Sequence, residues 1–161
     1  MHYKMRDQIR FKIGKEEKNI QEKWIEIPEG TEHIQMMIEM PEEFQYMAFL
    51  FLEDPKKEIR FQKLLGYGQQ NPGIGKSTKD TTIGGVPGEI YPGTWKIGIG
   101  IFTEYVAQKL GEQTGEIVMT VSDRKDVVSD PIGGECWVEN GLHISEKSYR
   151  WENVFCPESG S

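Results

Sequence analysis

Thr94-Trp95-Lys96-Ile97-Gly98-Ile99-Gly100-Ile101 decides the fold. Trp95, Ile97, Ile99 and Ile101 recur at every second position, which places them on one face of an extended strand. The opposite face holds Gly98 and Gly100, so either another group packs closely there or the strand bends. A Trp beside three Ile residues on one face describes a strand built into a core.

The same period of two extends in both directions. Ile9-Arg10-Phe11-Lys12-Ile13 alternates cleanly, and Ile25-Glu26-Ile27 does so briefly after a charged stretch that reads as a loop. Ile34, Met36, Ile38 and Met40 face one way until Pro41-Glu42-Glu43 ends the run. Tyr46 to Leu52 is apolar or aromatic throughout, the signature of a central strand covered on both faces. It ends at Glu53-Asp54-Pro55-Lys56-Lys57, and Ile59-Arg60-Phe61-Gln62 resumes the alternation, so the two runs form a hairpin. Glu116 to Val121 supplies the next strand. Glu104 to Leu110 is the only helix candidate, with a loop as the alternative reading. Six or seven strands separated by turn signals predict an all-β fold, a β-sandwich or jelly roll.

Two segments break the pattern. Gly66 to Gly93 is rich in Gly, Pro, Asn, Ser and Thr and reads as a long Gly/Pro-rich loop with at most one short strand, a feature that usually carries function or its own packing. From Ser122 onward Cys136-Trp137-Val138 and Tyr149-Arg150-Trp151 are aromatic patches without a period. The expected organisation is a β-sandwich domain over 1–122 and an irregular segment over 123–161, or a linker toward a downstream domain.

Composition excludes several classes. The 161 residues fit one domain, and 37% hydrophobic with 28% charged residues describes a globular chain. A net charge of -7 speaks against nucleic acid, whose phosphates demand a basic stripe, and against anionic lipid. No apolar run approaches the roughly 18 residues of a membrane helix. The N-terminal Met1-His2-Tyr3-Lys4 is not followed by the apolar run of a signal peptide, which points to the cytoplasm. Cys136 and Cys156 are the two cysteines, and in a reducing compartment they are free thiols.

Chemistry-bearing motifs are few. Gly73-Ile74-Gly75-Lys76-Ser77-Thr78 resembles a phosphate loop, but Gln70 stands where the first Gly is needed. His2, His33 and His143 share no metal-binding spacing, and His33 reads as part of a solvated strand end. Asp54, Asp80 and Asp123 lack the dense Asp-x-Asp pattern of a calcium loop. No Ser sits in a nucleophile elbow, so no catalytic residue, metal or cofactor is expected. Tyr67, Tyr91 and Trp137 are the candidate ligand-binding residues, because loop aromatics on a sandwich stack on sugar rings. The plainer reading of these residues and Trp151 is as covers over the ends of the core.

One stretch is more specific. Phe51-Leu52-Glu53-Asp54-Pro55 is followed by Ile59-Arg60-Phe61-Gln62, Gly66-Tyr67-Gly68, and Val86-Pro87-Gly88-Glu89-Ile90-Tyr91-Pro92-Gly93-Thr94-Trp95. This resembles the N-terminal jelly-roll domain of CehA/McbA-like metallohydrolases of the PHP superfamily. A weaker likeness runs to pre-peptidase C-terminal domains, which end in a similar Pro-Gly-Thr-aromatic strand. Pro87 and Pro92 fix φ, Gly88 and Gly93 supply permissive turns, and Trp95 plugs the core.

The resemblance covers about Phe49 to Val121 and implies a non-catalytic accessory domain, the front part of a metal-dependent phosphoesterase. The family's metal-binding run lies in its downstream domain and has no counterpart here. The expected partners are that downstream catalytic domain or a second copy of the chain. A carbohydrate- or small-ligand-binding module is the alternative.

Overall fold

The computed structural model describes residues 5–125 and 130–132. Among these described residues nine strands form two antiparallel sheets packed face to face, an all-β sandwich as the alternation predicts. They are β1 (Arg6–Ile13), β2 (Ile20–Ile27), β3 (His33–Met40), β4 (Ala48–Glu53), β5 (Ile59–Leu64), β6 (Gly68–Gln70), β7 (Gly73–Gly75), β8 (Gly93–Ile101) and β9 (Gly115–Ser122). One helix, α1 (Thr103–Leu110), joins β8 to β9.

The first sheet has the order β1-β9-β3, with β6 and β7 both pairing along β3. The second has the order β2-β8-β4-β5. The pairings nest: β4 with β5, β3 with β6 and β7, β2 with β8, β1 with β9. A long hairpin rolled up on itself gives this order, which is the jelly roll.

Register fixes the core. β8 sends Trp95, Ile97, Ile99 and Ile101 inward, opposite Leu50 and Leu52 of β4 and Ile25 and Ile27 of β2. The facing sheet contributes Phe11, Ile13, Met36, Ile38, Ile117 and Met119, all essentially without solvent contact.

The structure differs from the sequence reading in three places. β2 begins at Ile20, inside the charged stretch read as a loop. The segment from Gly66 to Gly93 carries two short strands rather than one at most, and β6 and β7 raise the count above seven. β4 is central in its sheet, but among the described residues only one of its faces is covered.

Candidate functional site

The two outer faces of the sandwich differ in chemistry. On the five-stranded sheet the outward positions include Gln8, Arg10 and Lys12 of β1, Glu116 and Thr120 of β9, and Glu39 of β3. Arg10 there pairs with Glu116 at 3.1 Å. This is the solvated face that an antiparallel sheet usually presents.

The four-stranded sheet is built otherwise. Its register aligns Ile20, Gly100, Phe49 and Leu64 in one row across the strands, and Glu22, Gly98, Phe51 and Gln62 in the next. Ile20 is 53% exposed and Leu64 43%, while Phe49 and Phe51 are partly exposed. A Cβ on Gly98 would stand 2.0 Å from Phe51 Cζ, so the glycine makes the bed on which that ring lies. The third row carries Trp24, 59% exposed, and Ile59, with Lys96 and Glu53 between them. Lys96 Nζ lies 3.0 Å from Glu53 and 3.2 Å from Glu22, and these bonds, Glu53 first, raise its pKa. The polar groups on this face thus largely satisfy one another.

The apolar surface runs on past the end of β8. Ile20, Gly100, Ile101, Phe102 and Tyr105 line one part of an open groove of about 620 Å³ beside α1, and Asn19, Thr103, Glu104 and Gln108 line the rest. Phe102 is anchored there by its backbone N–H, which donates to the Met47 carbonyl at 3.2 Å.

The residues that carry the family likeness form a separate structure. Asp54 and Arg60 are a buried ion pair, Nη1 to Oδ2 3.3 Å. Asp54 Oδ1 accepts the backbone N–H groups of Lys56 and Glu58, which closes the β4–β5 turn. Arg60 Nε donates to the Val86 carbonyl at 3.0 Å and Nη1 to the Glu89 carbonyl at 2.8 Å. Its guanidinium lies 5.4 Å from the Trp95 ring, and Trp95 Nε1 donates to the Tyr91 carbonyl at 2.7 Å. Gly88, with φ +152°, approaches to where a Cβ would be 3.4 Å from Arg60 Nη2. Arg60 is the post around which the 86–91 segment winds, so the motif positions backbone, while its Nη2 is buried without a hydrogen-bond partner.

Tyr67 and Tyr91 are not brought together. Tyr91 lies at the β4–β5 turn, its ring 4.3 Å from Lys56 Nζ. Tyr67 follows the opposite end of β5, and it is 56% exposed. The length of β5 separates them, about 20 Å for six residues. Tyr67's neighbour Gly66 lies under the Tyr46 ring, where a Cβ would stand 3.8 Å away, and Tyr46, a non-glycine residue at φ +63°, donates its N–H to the Leu65 carbonyl. Trp137 lies outside the described residues, as do Trp151, His2, His143, Cys136 and Cys156.

His33 corrects the sequence reading. It is 7% exposed rather than solvated, because β7 folds back over it. A Cβ on Gly73 would stand 2.9 Å from its ring, so only glycine fits there. Its Nε2 bonds Gln35 Oε1 at 2.9 Å, while Nδ1 is buried without a partner. Burial, above all, lowers its pKa.

The phosphate-loop likeness resolves into β7 and one 3-10 turn at Thr78–Asp80, with Lys76 near Glu32 and Glu89. Asp80 is taken by Ser77 and Lys125. Among the described residues no three His, Cys, Asp or Glu side chains gather as metal ligands. Among them, too, no helix is long and apolar enough to cross a membrane.

No family model matches the chain, and no curated protein matches it. Among solved structures it is similar to the CspB protease of Clostridium perfringens, with 12% identity over 77% of this chain and a TM-score of 0.41. The chain spans 27% of that protein's length. Likeness at this level assigns neither family nor activity.

Proposed function

We propose that this chain is a non-catalytic accessory module that works by packing the outer face of its four-stranded sheet against another protein body. The observation that carries this reading is the apolar row Ile20, Gly100, Phe49 and Leu64, continued by Phe51 and the groove at Phe102 and Tyr105. Six residues along each of four strands make a face of about 400 Å². Glu22, Gln62, Lys96 and Glu53 share this face, so its apolar part is smaller, of the size of the largest apolar patch on an ordinary monomer, which is often a functional one. Packed against a tethered partner, both sides together bury roughly 800 Å², within the range of interfaces between domains of one chain.

The likeness at Asp54, Arg60 and Pro87–Trp95 supports a PHP-type metal-dependent phosphoesterase domain as that partner, this chain being its front domain. Arg60 and Asp54 are consumed in holding the loop, which fits a supporting role rather than a catalytic one.

The test uses the full chain and the variants Ile20→Asp and Leu64→Asp. An open docking face binds the apolar dye ANS, and the charges abolish that binding. An occupied one resists the charge, so that the variants lose more than about 1 kcal/mol or change oligomeric mass. Solvent-facing positions without such a role stay within about 0.5 kcal/mol. A face that neither binds dye nor responds to charge ends the proposal.

A second reading, a carbohydrate-binding module, draws on Tyr46 and Tyr67, which are both more than half exposed at one end of the sandwich. Titration calorimetry with oligosaccharides against Tyr67→Ala tests it, and the variant should lose most of the binding.

A further inference from the structure

We propose that the chain pairs with a second copy of itself through the edges of β1 and β2, about a two-fold axis that runs along the strands. This surface lies at one side of the sandwich, not on its outer face.

The two sides of the sandwich are finished differently. On one side the chain closes its own edges. Along β5 the Gly84 carbonyl accepts the Gln62 N–H, and the Arg60 carbonyl accepts the Val86 N–H. The Gly73 and Gly75 carbonyls of β7 accept the Thr82 and Gly88 N–H groups. On the other side β1 and β2 end their sheets, and among the described residues no strand pairs with either edge. Unpaired strand edges are templates for another chain.

The two edges match each other face for face. The Ile101 N–H donates to the Asn19 carbonyl at 2.7 Å, and the register runs unbroken from Ile20 to Ile27, so the odd-numbered residues of β2 bond β8. The backbone groups of Ile20, Glu22, Trp24 and Glu26 therefore face the open side. The Lys12 carbonyl faces it too, since it accepts Gln21 Nε2 at 2.7 Å. By the same alternation the backbone groups of Gln8 and Arg10 lie on that edge of β1. Both sets carry their side chains on the outer face of the sandwich.

Symmetry then sets the register. β2 runs back along β1, and an open cleft of about 470 Å³ between them is lined by Gln8, Ile9, Arg10, Glu22, Lys23 and Trp24. Arg10 is thus level with Glu22 and Lys23. A two-fold axis along the strands keeps every residue at its level. It carries β1 of the second copy beside β2 and antiparallel to it, and β2 of the second copy beside β1. Face matching places Arg10 opposite Glu22, Gln8 opposite Trp24 and Lys12 opposite Ile20, and the isologous pairing repeats this at both junctions.

Charge complementarity agrees with a register reached without it. Arg10 holds Glu116 at 3.1 Å and Glu22 holds Lys96 at 3.2 Å, so pairing Arg10 with Glu22 joins them into a row of alternating sign. An inward lysine on an edge strand ordinarily deters pairing. Lys23 is such a residue, and this register brings Asp7 of the second copy to its diagonal position. Edges about 25 Å long on a sandwich about 20 Å thick bury roughly 1,000 Å² over both copies, the lower limit of a specific interface.

The experiment is sedimentation equilibrium of the full chain up to about 0.5 mM, a range suited to an interface of this size. The mass should rise to twice the 18.5 kDa of one chain and no further. Arg10→Glu and Glu22→Arg each set like charges opposite one another and should each weaken association at least about tenfold. Mixed in equal amounts, the two variants carry opposite charges at both junctions and should recover the dimer. Leu64→Asp, on the far strand of the same sheet, should leave the dimer intact. In the wild type the amides of Glu22 and Trp24 should gain protection from hydrogen exchange as concentration rises, a readout that needs no variant to fold. A wild-type mass of one chain overturns the proposal, as does growth beyond two copies, which means head-to-tail pairing. Association indifferent to both charge reversals, folded variants that stay monomeric when mixed, or amides without added protection overturn it as well. Loss of the dimer in Leu64→Asp moves the contact to the outer face and overturns it in favour of that surface.

Discussion

The ring of Phe51 occupies the space in which a side chain at Gly98 would stand: a Cβ built there would be 2.0 Å from Cζ and 2.4 Å from Cε1. The two residues are directly paired across β4 and β8. Glycine in a strand interior costs conformational entropy and normally weakens it. Here it lets an aromatic ring lie flat on the sheet rather than stand off it, and so keeps the outer face low and continuous.

Gly98→Ala should therefore destabilise the protein, although alanine is otherwise the better strand residue. Displacing the ring costs about 1–3 kcal/mol, the range for forcing extra atoms into a packed site. Adding Phe51→Ala should return part of that loss, since the obstacle is gone. Denaturant unfolding of the two single variants and the double variant measures the coupling. Additive effects would mean the ring swings aside freely.

The buried pair of Arg60 and Asp54 predicts a different hierarchy. Arg60→Met strands a carboxylate with no solvent contact and releases the carbonyls of Val86 and Glu89. Removing one partner of a buried ion pair costs about 3–5 kcal/mol. Asp54→Asn keeps the Oδ1 bonds to Lys56 and Glu58 and should cost less. Hydrogen exchange should show the amides of Val86 and Gly88, bonded to the Arg60 and Gly75 carbonyls, losing protection in the Arg60 variant before the sheets do. Equal costs for the two variants would place the energy in the turn rather than in the arginine.

Trp95 tests the core. Its ring is fully buried, so Trp95→Ala should cost about 3–5 kcal/mol by calorimetry or chemical denaturation. Trp95→Phe keeps most of the volume but loses the bond to the Tyr91 carbonyl, and should cost roughly 1–2 kcal/mol.

How much of this was legible beforehand follows from which periodicities survive folding. Strands that bury one face against the core announce themselves, as Ile9–Ile13, Ile34–Met40 and Trp95–Ile101 do. β2 was only half visible because it is an edge strand: at Ile20, Glu22 and Trp24 its outward side mixes apolar and charged residues, and only Ile25 and Ile27 are buried. β6 and β7 are three residues each, too short for any period, and their pairing depends on partners far away in sequence. The outer apolar face had one signal, Gly98 and Gly100 opposite a strand of aromatics. Reading it required the register between β4 and β8, which only the fold supplies. His33 was misplaced for the same reason: its neighbours Gly73 and Gly75 arrive from a loop that sequence alone leaves open.

That buried histidine makes stability depend on pH in a defined window. Burial disfavours the imidazolium, and Lys125 acts in the same direction, while the bond to Gln35 and the charge of Asp80 oppose them without cancelling the shift. The folded protein therefore binds the His33 proton more weakly than the unfolded chain, whose histidine titrates near 6.5. Stability is complete above that value and declines as the pH falls below it, because the unfolded state then carries the extra proton. The slope from one such group is at most about 1.4 kcal/mol per pH unit. Asp80 has a lowered pKa, so its own contribution fades only in the more acidic carboxylate range and leaves the window between about pH 6.5 and 5 to the histidine. His33→Gln removes the titrating ring, and comparison with the wild type separates it from His2 and His143. Denaturation midpoints measured at pH 7 and pH 5 should fall less in the variant than in the wild type. An equal fall in both would show that acid enters elsewhere and that β7 closes over His33 without regard to its charge.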